Sequence, residues 1–102
     1  MPNPVADFPW AYAHVAATTV PAVKVGPGVL HTILFNGMTV VGVLEVYDGV
    51  DNTGTVIGAI TFNSAVHVSC QPVPFIYDCE VFVGIHLEFT AGLVADFTVT
   101  YK

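Results

Sequence analysis

Side chains able to act as nucleophiles are few in this chain, and none stands in a catalytic motif. The candidates are two serines and two cysteines, namely Ser64, Ser69, Cys70 and Cys79. Enzymes activate such groups with a neighbouring base, and a local signature such as Gly-x-Ser-x-Gly often marks the site. No such signature surrounds any of the four, so we predict no catalytic residue.

Four carboxylates offer a second kind of chemistry, because two acids that flank a glycosidic bond can hydrolyse it. They are Glu45, Asp78, Glu80 and Glu88. Their positions along the chain select no particular pair. Glu80 and Glu88 are explained more simply as residues that solubilise the outer face of a strand, and we do not predict a hydrolase.

Histidines are present without the spacing of a metal site. They are His14, His31, His67 and His86, and only His67 has a soft second ligand nearby in the chain, Cys70. Zinc sites need several such ligands at short, defined intervals. We therefore expect each histidine to lie on a sheet surface or at an interface.

The segment Asp48–Gly54 gathers two carboxylates and an amide in one loop, and such oxygens can bind calcium. Its spacing departs from the D-x-[DN]-x-[DN]-G loop, and its Asp-Gly and Asn-Thr-Gly steps are typical of turns. No lysine follows the glycines as a phosphate-binding loop would require. We predict neither a metal nor a cofactor.

Cys70 and Cys79 are nine positions apart across a proline-containing connection, so hairpin-like closure of a disulfide is sterically conceivable. The alternative is two half-buried thiols, because free cysteine behaves as a small hydrophobic residue. The N-terminus shows no export signal, which favours the reduced form.

These side chains must be positioned by β-strands. Val, Ile and Thr make up 34 of the 102 residues, and proline or glycine interrupts the chain every eight to twelve residues or so. This spacing leaves little room for helices. It predicts an all-β fold, an antiparallel β-sandwich of about eight strands of jelly-roll or Greek-key type.

The predicted strands follow from apolar runs and alternation. They are Trp10–Ala17, Pro21–Val25, Val29–Phe35, Val43–Tyr47, Thr55–Phe62, Ala65–Ser69, Glu80–Phe89 and Leu93–Lys102. In the strand 80–89, the odd-numbered residues 81–89 are expected to face the core and His86 to face solvent. The segment Val29–Phe35 is apolar on both faces, which predicts a central strand covered on both sides.

Residues 1–10 differ from the sandwich expected over residues 11–102. Three prolines restrict this segment, while Val5, Phe8 and Trp10 carry large apolar side chains. We interpret it as an extended arm. Its aromatic residues favour contact with a partner, and packing on its own subunit is the alternative.

The amino-acid composition limits the classes of partner that this protein is expected to bind. Charged residues are 10% of the chain, and two lysines against eight acids give a net charge of −6. A surface without a basic patch has little to attract nucleic acid or an anionic membrane. No apolar stretch approaches the length of a membrane span. Low charge instead favours a protein whose surface is covered by other subunits.

Several short motifs occur in a defined order along residues 12–102. They are Val15–Thr19, Val23–His31, Ile33–Asn36, Tyr47-Asp48, Thr53–Ile57 and Val99–Tyr101. In this order they resemble small β-sandwich proteins common among the structural proteins of tailed bacteriophages. The segment Pro72–Phe75, both cysteines and the arm depart from the usual pattern.

The resemblance implies a virion component without catalytic residues, of the head decoration or cement type. It implies a location on the capsid surface, synthesis in the host cytoplasm, and two partners: a major capsid protein and further copies of the chain, with a trimer favoured. The alternative is a ligand- or carbohydrate-binding module of a tail or head fibre, with Trp10, Tyr12 or Tyr77 as stacking platforms.

Overall fold

Strands dominate the part of the chain that the structure describes. The computed structural model describes residues 10–16, 22–62 and 73–102. Its strands are β1 (Ala11–Val15), β2 (Lys24–Val25), β3 (Gly28–Val40), β4 (Gly42–Asp48), β5 (Thr55–Phe62), β6 (Val73–Val81), β7 (Gly84–Thr90) and β8 (Val94–Tyr101). No helix occurs in these ranges, and so none of them could cross a membrane as a helix. The predicted all-β class is confirmed.

The strands form two antiparallel sheets of four. One sheet has the order β1-β8-β3-β6 and the other has the order β2-β7-β4-β5. Apart from the hairpin between β4 and β5, each strand lies in the opposite sheet from the next strand along the chain. This is the strand order of a jelly roll, which resolves the predicted choice between jelly-roll and other Greek-key sandwiches.

Aromatic side chains from both sheets meet in the core. The ring of Phe35 on β3 stacks on that of Phe62 on β5 with centroids 5.0 Å apart, and Phe97 on β8 packs edge-on against Phe89 on β7 at 5.7 Å. The side chains of Phe35 and Phe97 are almost completely buried. These contacts between sheets account for the alternation of apolar residues along the strands.

The predicted strand 80–89 is wrong in one respect, because the structure divides it. β6 ends at Val81, the chain bends at Phe82 and Val83, and β7 begins at Gly84. Val83 is 54% exposed instead of facing the core. The backbone N–H groups of the bend donate to the carboxylate of Asp48, which removes them from a strand ladder.

The proline-containing segment before β6 was expected to be a connection. Val73 and Pro74 instead form the start of β6. β6 is an edge strand of its sheet, where the missing N–H of a proline is tolerated. The strands predicted at Trp10–Ala17 and Thr55–Phe62 are found as β1 and β5, whereas the predicted strand Ala65–Ser69 lies outside the described residues.

A β-bulge explains much of the apolar run in β3. Leu30 pairs with Tyr101 and Thr32 pairs with Thr100, so His31 has no partner in β8. The extra residue changes which positions face the core, and Leu30 and Ile33 both point inward although they are three residues apart. β3 is an interior strand, as predicted, and it continues to Val40.

Candidate interaction surfaces

Trp10 packs against the rest of its own chain. Its ring stacks on the imidazole of His31 with centroids 4.2 Å apart and an interplanar angle of 8°. His31 Nδ1 is hydrogen-bonded to the carboxylate of Asp78 on β6. Asp78 has a φ of 46°, a left-handed conformation that aspartate tolerates better than most residues. The other two arm residues proposed as contacts, Val5 and Phe8, lie outside the described residues.

A polar network lies on the outer face of the β1-β8-β3-β6 sheet, the face that also carries Trp10. His14 Nε2 is 2.7 Å from Asp96 Oδ2, and Asn36 Nδ2 donates to Asp96 Oδ1 at 2.7 Å and to Thr98 Oγ1 at 3.0 Å. Burial would raise the pKa of Asp96, but the hydrogen bonds from Asn36 and His14 outweigh it and lower that pKa. Each polar group in this network therefore already has a protein partner.

The second sheet places two glutamates opposite each other. Glu45 on β4 and Glu88 on β7 are directly paired across the ladder, whereas Asp78 and Glu80 belong to the other sheet. Of the four carboxylates considered for glycoside hydrolysis, the structure thus places Glu45 and Glu88 directly opposite each other. His86 Nε2 lies 2.9 Å from Glu88 Oε1. Like charges placed directly opposite in a sheet repel each other.

His86 is buried, contrary to its expected position on the solvent face. It is 6% exposed, and the ring of Tyr47, its partner on β4, packs against it with centroids 6.1 Å apart. Its Nδ1 has no hydrogen-bond partner among the described residues. Burial raises the pKa of Tyr47, and the neighbouring carboxylates of Glu45 and Glu88 raise it further.

The Asp48 carboxylate organises one end of the sandwich. It accepts the backbone N–H groups of Phe82, Val83 and Gly84 at 2.8–3.2 Å, and these bonds lower the pKa of Asp48. Gly84 must be a glycine here, because a Cβ atom would overlap the carbonyl oxygens of Lys24 and Gly49. Three segments of backbone therefore meet at Gly84.

Four apolar side chains project from this junction. They are Val25 at 75% exposure, Phe82 at 70%, Val83 at 54% and Val50 at 45%. Backbone bonds tie them together, since Gly26 N donates to Val83 O at 2.8 Å and Gly49 N to Gly84 O at 3.1 Å. We call this group the apolar tip. Its area is on the order of a few hundred Å², a size of exposed patch that is often functional.

The rest of the Asp48–Gly54 loop has the geometry of a turn. The carboxylate of Asp51 accepts the backbone N–H of Thr53 at 2.9 Å and also its hydroxyl, and these two bonds lower the pKa of Asp51. The carboxylates of Asp48 and Asp51 are thus engaged within the protein. Across the described residues, no group of three or more His, Cys, Asp or Glu side chains could hold a metal ion.

Two further residues singled out from the sequence, Cys79 and Tyr77, pack against the core between the sheets. Cys79 is half-buried, and burial together with the nearby carboxylates of Asp48 and Asp78 raises the pKa of its thiol. Tyr77 packs against the core beside Gly58 and is not an exposed stacking platform. The remaining nucleophile and metal candidates, Ser64, Ser69, Cys70 and His67, lie outside the described residues.

The apolar tip has no counterpart in the sequence-based predictions. Phe82 and Val83 stand in an apolar run that is typical of a strand, and the side chain that bends the backbone there is 34 positions earlier. The Asp-Gly step at Asp48 does indicate a turn, but nothing local indicates what its carboxylate binds. Comparisons with family models, with curated proteins and with solved structures find no match for this chain.

Proposed function

We propose that this protein is a structural component of a tailed-bacteriophage virion, a decoration or cement protein that stabilises the head by binding between capsomers. The apolar tip is the observation that carries the proposal. Phe82, Val83 and Val25 are exposed on backbone that is held in place by the hydrogen bonds to Asp48 and by the close packing at Gly84. A rigid apolar patch suits attachment to another protein, because little conformational entropy is lost on binding.

The fold and the charge support an attachment role. Jelly rolls recur in viral capsid proteins, in lectin domains and in cupins. The fold is therefore compatible with the proposed function but also with others. A chain with 10% charged residues is well suited to a surface that becomes covered on assembly. The resemblance of its ordered motifs to phage structural proteins supplies the identity of the assembly.

The proposal names two partners and a location. The major capsid protein is the surface to which the apolar tip binds, and further copies of this chain complete the contact, with three copies around a local three-fold axis as the resemblance implies. The protein is made in the host cytoplasm and ends on the capsid surface of the virion. No catalytic residue takes part.

The test is binding to particles that lack the protein. Phe82→Ser and Val83→Ser are expected to reduce retention on such particles at least tenfold, while the melting temperature stays close to that of the wild type. Ile76→Ser is the matched control, because Ile76 is 68% exposed and lies on the other sheet. Unchanged retention of the tip variants, or absence of the protein from purified virions by mass spectrometry, would overturn the proposal.

A second function has one specific observation in its favour. Tyr12 is 75% exposed on β1, and Trp10 lies beside it on the outer face of the same sheet, next to the hydrogen-bonded pair His31 and Asp78. Aromatic rings beside polar groups are a common way to bind sugars. If the chain is a carbohydrate-binding module, a glycan array will show binding that Tyr12→Ala abolishes and Phe82→Ser leaves unchanged.

A further inference from the structure

The dipeptide Asn36-Gly37 lies on β3 where the strand is irregular. Asn36 is the one asparagine of this sequence that is followed by glycine. The adjacent residues Phe97 and Asp96 of β8 pair with Phe35 and Gly37. Asn36 is thus the extra residue of a β-bulge and has no partner in β8. Among the described residues, the pairing of β3 with β6 also ends at Phe35. Asn36 is therefore exposed and lies outside the regular ladder.

An asparagine that precedes glycine can lose its side-chain amide without an enzyme, and asparagine is accordingly a thermolabile residue. The backbone nitrogen of the glycine gives its proton to hydroxide and attacks Cγ of the asparagine. The new N–Cγ bond closes a succinimide ring, the Cγ–Nδ2 bond breaks, and Nδ2 takes up a proton and leaves as ammonia. Water then opens the ring at either carbonyl to give aspartate or isoaspartate, and nothing is oxidised or reduced. Glycine favours the attack because it has no Cβ and the least restricted backbone.

We propose that Asn36 is a site of spontaneous deamidation and that the modified residue disrupts the polar network around Asp96. In the unmodified protein, Asn36 Nδ2 donates to Asp96 Oδ1 at 2.7 Å and to Thr98 Oγ1 at 3.0 Å. A carboxylate oxygen in place of Nδ2 has no proton to donate, so the bond to Asp96 is lost. The new carboxylate also places a second negative charge beside that of Asp96, and like charges on neighbouring strands are destabilising.

Three strands meet at this network. His14 Nε2 on β1 lies 2.7 Å from Asp96 Oδ2 on β8, and the other oxygen of that carboxylate accepts the amide of Asn36 on β3. Deamidation therefore weakens the contact between β3 and β8 and adds one negative charge to a chain that already carries −6. An isoaspartate also lengthens the backbone between residues 36 and 37, which strains the pairing of Gly37 and Met38 with β8.

Asp48-Gly49 has the same following glycine, but the structure protects it. Ring closure at an aspartate must displace a hydroxyl group, so it requires the protonated carboxyl. The backbone N–H groups of the bend donate to Asp48 and lower its pKa, which makes the protonated form scarce at neutral pH. Asn36 has no such protection, because its amide reacts in its ordinary uncharged form. Isomerisation of Asp48 also leaves the mass unchanged, so a gain in mass distinguishes deamidation from it.

The experiment is prolonged incubation of the full chain at neutral and mildly alkaline pH, followed by peptide mass spectrometry. Asn36 is expected to deamidate at least tenfold faster than Asn52, which is also exposed but precedes threonine. The rate should rise with pH, because the attacking nitrogen must lose its proton. Gly37→Ala is the matched control, since its Cβ would have no atom within 4 Å and the fold should be kept. It is expected to slow the reaction at Asn36 at least tenfold.

Asn36→Asp supplies the deamidated side chain directly. Its melting temperature is expected to lie below that of Asn36→Ala, which removes the same amide without adding a charge, and the gap should narrow in high salt. Circular dichroism shows whether each variant is folded. An Asn36 that reacts no faster than Asn52, or a rate unchanged by Gly37→Ala, overturns the proposed site. An Asn36→Asp protein as stable as Asn36→Ala overturns the proposed effect. Neither result bears on the proposed function, which depends on the apolar tip and on retention by particles.

Discussion

Asp48 is a single acceptor for three consecutive backbone N–H groups, so its replacement tests what holds the apolar tip. Asp48→Asn is expected to lower the free energy of unfolding by about 1–2 kcal/mol at neutral pH. Hydrogen bonds to a charged group contribute about 1.5–3 kcal/mol, and partial exposure of this site reduces that value. Urea denaturation measures the difference. Asp51→Asn is the control, because Asp51 binds only within its own turn.

The effect of Asp48 should depend on pH. Its pKa in the folded protein lies below the ordinary value of 3.8, so its contribution is complete above that value and is lost as the pH falls through the lowered pKa. The denaturation curves of the wild type and Asp48→Asn should therefore converge in strong acid. A difference that stays constant from neutral pH into strong acid would show that the carboxylate charge has no role.

Glu45 and Glu88 lie directly opposite each other, and removing one charge should relieve the repulsion between them. Glu45→Gln is expected to raise the free energy of unfolding by about 0.2–1 kcal/mol at low salt. The gain should shrink in high salt, where charges near the surface are screened. Glu80→Gln is the control, since Glu80 is exposed and pairs with Val29. A destabilised Glu45→Gln protein would contradict this account.

Alanine substitutions at two glycines test how closely β4 packs against the residues around it. A Cβ atom on Gly42, at the start of β4, would lie 2.5–2.7 Å from atoms of Leu93, whereas one on Gly37 in β3 would have no atom within 4 Å. Gly42→Ala is therefore expected to cost about 1–3 kcal/mol of stability through overpacking. Gly37→Ala should be neutral or stabilising by up to about 1 kcal/mol. Equal melting temperatures for the two variants would contradict the packing at Leu93.

At the scale of the whole molecule, we expect the N-terminal arm predicted from the sequence to be separable from the sandwich. β1 begins at Ala11, and Trp10 stacks on His31 of its own chain, so a truncation should keep Trp10. Removal of residues 1–9 is expected to change the free energy of unfolding by less than about 0.5 kcal/mol and to weaken retention on particles. Loss of the fold would make the arm an intramolecular element, and unchanged retention would show that it has no anchoring role.

The strand content and several strand bounds followed from the sequence alone. β5 was predicted at Thr55–Phe62 and is found there, and the alternation along β8 correctly separates buried Phe97 and Val99 from Thr98 and Thr100. Such patterns are local, because the two faces of a strand alternate with a period of two residues. Local patterns therefore determined which segments are strands and, for most of them, which face is apolar.

The tertiary structure decided what each strand lies beside. β1 pairs with β8 at the other end of the chain, and that sheet brings His14 to Asp96. The bend at Phe82 donates a hydrogen bond to the carboxylate of Asp48, and the ring of His86 packs against that of Tyr47. Each of these contacts joins residues more than 30 positions apart. Strand propensity and alternation carry no information about such partners, so the apolar tip and the opposed glutamates became visible only once the sheets were assembled.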